Sequence, residues 1–143
     1  MVSSSDSKSS QGEALVGMYG GEHRLCSTAN PKLALVLSCE REIDLFELET
    51  LCDAVGWSRR PVRRVRKALE HSLLWVGLWR HEQRLPRLVG FARCTGDGVI
   101  EATVWDVAIH PLYQGCGLGK QLMDYVLNQL RTMEVERVSL FAD

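Results

Sequence analysis

The chain has 143 residues, of which 45% are hydrophobic and 24% are charged, and its net charge is -1. A chain of this length and composition can bury a substantial core as one folded domain. The small net charge gives no overall attraction to nucleic acid or to a membrane surface. The five cysteines lie far apart without a C-x-x-C pair, and the four histidines are scattered. The sequence therefore predicts reduced thiols, no disulfide framework and no metal site.

The first 31 residues are rich in serine and glycine and end at Pro31. Such a composition favours a flexible N-terminal tail over 1–31, followed by a single domain over 32–143. Residues 1–12 lack the apolar core of a signal peptide. A transit peptide has little support, because the segment is short and carries Asp6 and Glu13.

Hydrophobic periodicity predicts eight elements in the rest of the chain. Asp44, with Glu47 three residues later, predicts a capping box that opens a first helix, which ends at Gly56. Pro61 suits the first turn of a second helix. The other predicted elements are strands at Leu33–Leu37, Leu73–Arg80, Leu88–Thr95, Val99–Ile109 and Val135–Phe141, a polar turn at His81–Arg84, a hairpin turn at Gly96–Gly98 and a helix over 118–132. The order β-α-α-β-β-β-α-β places the chain in the α/β class.

The most specific motif joins the last long strand to the last helix. It reads Gln114-Gly115-Cys116-Gly117-Leu118-Gly119-Lys120 and follows His110-Pro111, which closes the strand. Glycines allow a tight turn and leave no Cβ in the path of a ligand. The first N–H groups of the helix have no partner inside it and lie at its positive end. The motif therefore predicts a phosphate or pyrophosphate site held by main-chain donors.

Two other phosphate loops fit this spacing poorly. In a P-loop four residues separate the glycine from Gly-Lys, whereas here Gly115 and Gly119 are one residue too close, and Gln121 replaces the hydroxyl that binds magnesium. A dinucleotide fingerprint needs Gly-x-Gly-x-x-Gly and an acidic residue about 20 positions on, but the spacing here is Gly-x-Gly-x-Gly. A glycine-rich turn without a ligand, or a structural protein that binds phosphate, remains the alternative.

The segment Gln114-x-x-Gly117-x-Gly119 resembles the Gln/Arg-x-x-Gly-x-Gly/Ala signature of the GNAT superfamily of acyl-CoA N-acyltransferases. The preceding strand end, Val107 to Pro111, is similar to the apolar strand end of that family. The resemblance implies a GNAT fold, in which helices flank a mixed central sheet. The family's element order begins like the predicted one and continues with a further helix and two strands. The domain over 32–143 is therefore expected to be incomplete at its C-terminus.

Three blocks resemble one subgroup, the plant chloroplast and cyanobacterial GNATs, which includes plant-type serotonin N-acetyltransferases and nuclear-shuttle-interacting acetyltransferases. The blocks are Leu51–Pro61, Ala102–Val107 and Ser139–Asp143. The last block is cut by the end of the sequence. This favours a sequence that is part of a longer chain over a naturally shortened homologue or a fold completed by another chain.

The resemblance implies acetyl-CoA as cosubstrate and no metal. Gln114 and the amides of Gly115, Cys116, Gly117, Leu118, Gly119 and Lys120 would bind the pyrophosphate. The main chain of Val107, Ala108 and Ile109 would pair with the pantetheine arm, and one of these amides would polarise the thioester carbonyl. The acetyl group would pass directly, in a ternary complex, to a primary amine. That amine is expected to belong to an arylalkylamine such as serotonin, or to a protein lysine or N-terminus.

The acceptor ammonium must lose a proton before attack, and two carboxylates are catalytic candidates. Asp106 lies in an apolar strand, where a carboxylate is costly unless it is paired, so it has either a structural or a functional role. Glu101 lies nearer the solvent end of the strand, and a solvated surface position is its alternative. Thr103 stands close to the glutamate base of several family members and cannot act as one. The tyrosine that protonates the leaving thiolate in many relatives would lie beyond residue 143, and neither Tyr113 nor Tyr125 matches it.

Partners and location are less constrained by the sequence. Six cations lie between Arg59 and Lys67; they form either a solvated helix face or a site for acidic proteins or for the adenosine phosphate of CoA. Nucleic acid is disfavoured, because no aromatic residues interleave with the run. A homodimer is one expectation, and a non-catalytic module that binds CoA or a protein is the alternative to an enzyme. The expected location is the cytoplasm, or the plastid stroma if the chain comes from a plant or alga.

Overall fold

A computed structural model of the chain describes residues 23–26, 34–82 and 85–140. Its strands form one six-stranded sheet in the order β1-β2-β3-β4-β5-β6. The elements are β1 (His23–Cys26), β2 (Ala34–Ser38), α1 (Leu45–Ala54), α2 (Val62–Glu70), β3 (Leu74–Glu82), β4 (Leu85–Gly96), β5 (Glu101–Ile109), a short 3₁₀ helix (Pro111–Tyr113), α3 (Leu118–Thr132) and β6 (Arg137–Leu140). None of the helices in these described ranges is long and apolar enough to cross a membrane.

The sheet is mixed. The pairs from β1 to β5 are antiparallel, and β6 joins β5 in parallel after the crossover through α3. From β2 onward the element order is the predicted one, and the bounds of α3 agree with the predicted helix over 118–132. The prediction of an α/β chain with a mixed sheet is therefore confirmed.

The prediction of a flexible tail over the whole of 1–31 needs a correction. His23–Cys26 form strand β1, which pairs with β2 in antiparallel register from His23↔Leu37 to Cys26↔Ala34. The four residues show no clear alternation of apolar and polar side chains, so their strand depends on the partner β2. The other residues of the predicted tail lie outside the described ranges.

Two further expectations were wrong in detail. β3 runs on to Glu82 and β4 begins at Leu85, so His81 and Glu82 of the predicted turn at His81–Arg84 are strand, and the other two residues lie outside the described ranges. The capping box is only half formed. Asp44 does cap α1, accepting hydrogen bonds from the N–H groups of Phe46 and Glu47. The Glu47 carboxylate instead accepts a hydrogen bond from Leu88 N at 2.9 Å, and so ties α1 to β4.

Helices cover both faces of the sheet. The apolar face of α3 packs on one side, and its four residues Leu118, Leu122, Val126 and Leu130 are each at most 1% exposed. Burial of a side chain of this kind stabilises the fold by about 1.5 to 3 kcal/mol. On the other side, α1 and α2 place Leu48, Leu51 and Leu69 against Trp79 and Phe91 of the sheet.

Strand β5 contains a bulge at Asp106. On β4 the register advances by two residues, from Phe91 to Arg93, while on β5 it covers three, from Ala108 to Trp105. Asp106 has φ 55°, in the left-handed region that non-glycine residues seldom adopt. The extra residue reverses the alternation of the strand. Before the bulge the even-numbered Val104 packs on the α3 side, and after it the odd-numbered Val107 and Ile109 do.

Candidate functional site

A cleft of about 1110 Å³ opens between the helical pair α1 and α2 and the sheet at the bulge. Its floor includes Phe91 and Arg93 of β4 and Trp105, Asp106 and Val107 of β5. The bulge lies at this floor. It interrupts the regular pairing of β4 and β5 at the point where the β5 side chains line the cleft. The cleft thus combines apolar surface with a small number of charged groups, as ligand sites usually do.

Asp106 is held in the cleft by arginine. Its Oδ2 accepts a hydrogen bond from Arg93 Nε at 3.0 Å and lies 3.9 Å from a guanidinium nitrogen of Arg60. The Asp106 and Arg93 side chains are 20% and 19% exposed, so the pair is largely shielded from water. No hydrogen bond joins Asp106 Oδ1 to another residue of the described ranges. One carboxylate oxygen is thus anchored, and the other is available to a ligand.

The second carboxylate candidate lies elsewhere. Glu101 begins β5, is exposed and does not line the cleft. It precedes Asp106 by five residues, a separation of roughly 17 Å along a strand. The structure therefore brings Asp106, but not Glu101, to the cleft.

The glycine-rich loop presents unpaired main-chain donors. Gly117 is the N-cap of α3 with φ 79°, and Gly115 has φ 81°. The first helical hydrogen bond across the cap runs from Gln121 N to Gly117 O at 3.2 Å. Within the described residues, the N–H groups of Leu118, Gly119 and Lys120 have no backbone acceptor, as expected for the first turn of a helix.

The loop leaves room for a ligand beside these donors. A Cβ built on Gly115 or Gly117 meets no atom within 4 Å, and one built on Gly119 meets only Ile109 Cγ1, at 3.9 Å. Free N–H groups, a helix N-terminus and open space beside two left-handed glycines fit an extended anionic group such as a pyrophosphate.

Side-chain hydrogen bonds fix the loop to the end of β5. Gln114 Nε2 donates to the Ile109 carbonyl at 2.9 Å, and His110 Nδ1 accepts from Leu112 N at 3.1 Å. His110 thus caps the 3₁₀ helix that follows β5. Cys116 is partly buried, and its thiol donates to the Gln114 carbonyl at 3.8 Å. The loop does not line the cleft itself, and the segment from Asp106 to Ile109, about 10 Å long, connects the two.

Tyr113 and Tyr125 are hydrogen-bonded to residues that do not line the cleft. The Tyr113 hydroxyl accepts a hydrogen bond from Arg80, and the Tyr125 hydroxyl donates to Cys39 Sγ at 3.7 Å. Burial, followed by the neighbouring Cys39, raises the pKa of Tyr125.

Two thiols differ in their access to the cleft. Burial raises the pKa of Cys94 to about 12. Cys52 lines the cleft, and its pKa is raised by burial and then by the negative charge of Asp106. Neither thiol is thus prepared to act as a nucleophile near neutral pH.

The loop and strand geometry agree with comparisons to known proteins. The sequence profile of the Acetyltransferase (GNAT) family matches residues 43–143. The chain belongs to the GNAT acetyltransferase family. This GNAT chain is 60% identical over 126 residues to the ycf52-like N-acetyltransferase of Prochlorococcus marinus, matching 88% of its own length and 70% of that protein. It is 36% identical over 125 residues to the chloroplastic GCN5-related N-acetyltransferase 2 of Arabidopsis thaliana, covering 76% of itself and 48% of the relative.

Solved structures share the fold of this GNAT domain. A GNAT-family acetyltransferase from Streptococcus pneumoniae superposes with a TM-score of 0.62 at 28% identity, over 76% of each chain. The GNAT fold implied by the sequence motif is therefore confirmed. The chain spans about half the length of the plant relatives it matches and 62% of the ycf52 protein of Porphyra purpurea.

Sequence reasoning missed the arginines around Asp106. The sequence places Arg60 only in a basic run and assigns no role to Arg93, because the pairing of Arg93 with Asp106 depends on the register of β4 and β5, and the approach of Arg60 depends on the packing of α1 and α2 against the sheet. The available signal was the isolated acid at Asp106, which requires a partner when it is shielded from water. Among the described residues, no group of three or more metal-binding side chains comes together.

Proposed function

We propose that the chain binds acetyl-CoA and transfers its acetyl group to a primary amine. The observation that carries this proposal is the loop from Gln114 to Lys120, with free main-chain donors and open space, placed at the end of a bulged strand that leads to a charged cleft. Family membership and the N-acetyltransferase names of its relatives support the same activity.

In the proposed complex, the amides of Gly115, Cys116, Gly117, Leu118, Gly119 and Lys120 hold the pyrophosphate. The main chain of Val107, Ala108 and Ile109 binds the pantetheine arm, which then runs from the loop toward Asp106. Bound acetyl-CoA supplies an activated thioester. A main-chain amide near the bulge would stabilise the negative charge that develops on the thioester oxygen.

Asp106 is the better placed of the two candidate bases, because its Oδ1 is available in the cleft whereas Glu101 is remote. Asp106 would take one proton from the acceptor ammonium, directly or through water. The amine nitrogen then bonds to the acetyl carbon as the carbon–sulfur bond breaks. The nitrogen loses its second proton, which passes through water to the departing sulfur, so that CoA leaves as the thiol. Arg93 would act as a positioning residue that orients the carboxylate.

A matched pair of substitutions at Gly117 tests the cofactor site. Both Gly117→Asp and Gly117→Asn accept the left-handed backbone better than other side chains do, and both can cap α3. They have nearly the same shape and differ in charge. We expect calorimetry to show acetyl-CoA binding at least about 10-fold weaker for Gly117→Asp than for Gly117→Asn, because the carboxylate repels the pyrophosphate.

ATP serves as the ligand control for the parent chain, since a GNAT site should prefer acetyl-CoA. Equal acetyl-CoA affinities for the two Gly117 variants would place the pyrophosphate elsewhere. Binding without transfer to serotonin, tryptamine or lysine peptides would favour the non-catalytic alternative.

The sources of two relatives support a proposal about the location of the chain. One relative is a chloroplastic protein of Arabidopsis thaliana, and another is from Prochlorococcus marinus. We infer that the chain works in the plastid stroma or in a cyanobacterial cytoplasm. Fractionation with an antibody against the chain tests this.

A further inference from the structure

The lining of the cleft carries an excess of positive charge. It includes four arginines and two carboxylates. The charged residues that line the cleft are Glu49, Arg59, Arg60, Arg64, Arg93 and Asp106. The chain as a whole carries a net charge of -1, so the positive excess is local to the cleft.

Two of the four arginines are engaged within the protein. Arg59 donates to both carboxylate oxygens of Asp53, at 3.1 and 2.6 Å, and lies 3.5 Å from Glu49. Arg93 donates to Asp106 at 3.0 Å. Their charges are largely balanced by these partners and are poorly available to a ligand.

Arg60 and Arg64 are not engaged in this way. The guanidinium of Arg60 is 3.9 Å from Asp106 Oδ2, beyond hydrogen-bond distance, and its side chain is 66% exposed. Arg64 is exposed in the first turn of α2 and forms no ion pair or side-chain hydrogen bond with another described residue. Arg60 keeps its long ion pair with Asp106, but the N–H donors of both guanidinium groups are available to a carboxylate of a ligand, for which their planar arrangement is well suited.

These cations border the acceptor end of the proposed site. Arg60 lies beside Asp106, the residue proposed to receive the amine proton, whereas the loop that would hold the pyrophosphate lies at the other end of the segment from Asp106 to Ile109. An amine placed at Asp106 would have its neighbouring groups close to Arg60 and then to Arg64. A monoamine such as serotonin has no anion to offer them, and a polycationic amine would be repelled.

Resting on the proposed acetyl transfer, we propose that the acceptor is a peptide amine flanked by aspartate or glutamate, whose carboxylates bind Arg60 and Arg64. The two arginines are then specificity-determining residues for acidic peptides. Arg60 and Arg64 are exposed, so each contact contributes modestly and weakens with salt.

The test compares three peptides that share one free N-terminus and one lysine and differ only in the residues beside these amines. The flanking residues are Asp and Glu, Asn and Gln, or Arg. We expect kcat/KM to be about 10-fold higher for the acidic peptide than for the neutral one at low salt, and lowest for the basic one. Arg60→Gln and Arg64→Gln should each lower the acidic-to-neutral ratio by about 3-fold, and 0.5 M salt should reduce it as well.

Arg63→Gln is the matched control, because Arg63 is an exposed cation of α2, next to Arg64, and does not line the cleft. It should leave the ratio unchanged. Equal kcat/KM for acidic and neutral peptides would overturn this inference while acetyl transfer itself stands. A loss of affinity for acetyl-CoA but not for dephospho-CoA in Arg60→Gln or Arg64→Gln would also overturn it, since the arginines would then serve the 3′-phosphate.

A chain that binds acetyl-CoA but acetylates neither the peptides nor serotonin or tryptamine would instead contradict the proposed function, whereas acetylation of serotonin or tryptamine but of none of the peptides would overturn this inference. In the first case, peptide affinity in the presence of CoA, measured by fluorescence anisotropy, decides the inference separately. Tighter binding of the acidic peptide that depends on Arg60 and Arg64 supports it, and equal affinities overturn it.

Discussion

Asp106 combines an unusual backbone conformation with an anchored carboxylate. Its φ of 55° lies at the bulge of β5, and Arg93 binds one of its oxygens. Asparagine tolerates this backbone region as well as aspartate does, so Asp106→Asn removes the charge with little change in shape. Asp106 is therefore the residue at which the proposed proton transfer is tested most directly.

We expect Asp106→Asn to lower kcat/KM by about 100-fold or more, the typical contribution of a general base. Steady-state kinetics near neutral pH measure kcat/KM for the parent and the variant. Glu101→Gln, on the same strand but outside the cleft, is the control and should retain the rate. An unchanged kcat/KM in Asp106→Asn would rule out Asp106 as the base.

Asp97 has a structural role in the turn between β4 and β5. Its Oδ1 accepts hydrogen bonds from the N–H groups of Val99, Ile100 and Glu101 at 2.8, 2.8 and 3.0 Å. The bond from Glu101, followed by those from Val99 and Ile100, lowers the pKa of Asp97 below its usual 3.8. A lowered pKa in the folded state means that the charged form stabilises the fold.

The stabilisation by Asp97 should be present above the pKa of the unfolded chain and lost as pH falls through the lower folded value. We expect Asp97→Asn to have a smaller free energy of unfolding than the parent at pH 7, with the difference shrinking below about pH 4. Urea denaturation between pH 2.5 and pH 7 measures this. A pH-independent difference would mean that the charge of Asp97 is not involved.

At the scale of elements, the packing of α1 and α2 on the sheet depends on a glycine in β3. A Cβ on Gly77 would lie 2.4 to 2.9 Å from three ring atoms of Trp79. The Trp79 side chain is 4% exposed and belongs to the core beneath α1 and α2. The indole therefore lies directly over Gly77, and any larger residue there must displace it.

We expect Gly77→Ala to destabilise the protein by about 1 to 3 kcal/mol, the usual cost of overpacking a core. Gly119→Ala, in α3, is the matched control, because its Cβ would find only an ordinary contact at 3.9 Å with Ile109 Cγ1. Alanine favours a helix over glycine, so the control should be neutral or more stable by up to about 1 kcal/mol. Chemical denaturation compares the two, and a neutral Gly77→Ala would show that the indole can move at little cost.

At the scale of the whole molecule, the proposed acetyl-CoA site joins parts that are distant in sequence. The loop before α3, the bulged end of β5 and the cleft under α1 and α2 would all contact one ligand or its acceptor. A ligand that binds only the folded chain stabilises it by mass action, by about 2.7 kcal/mol at 100 times Kd.

We therefore expect saturating acetyl-CoA to raise the Tm by roughly 5 to 10 °C, a shift scaled from domains of similar size. ATP at the same concentration should have a much smaller effect. Thermal unfolding followed by circular dichroism measures both. Equal shifts with the two nucleotides would indicate general phosphate binding and would contradict a GNAT-type site in this chain.

The sequence by itself determined the local features. Glycines at 115, 117 and 119, after an apolar strand and before an amphipathic helix, specify a strand–loop–helix unit with free N–H groups, because glycine conformation and helix ends are local properties. The bounds of α3 and the order of elements from β2 onward follow from hydrophobic periodicity in the same way. The family followed from the same motif and was confirmed.

Tertiary structure decided which charged residues meet. The bulge at Asp106, the pairing of Arg93 with it and the approach of Arg60 depend on strand register and helix packing, which join residues far apart in the chain. The same holds for β1, which forms only against β2, and for Glu47, which binds Leu88 N instead of closing its own capping box. Local sequence patterns encode turns and helices, whereas contacts between distant residues are fixed only when the sheet and its helices pack together.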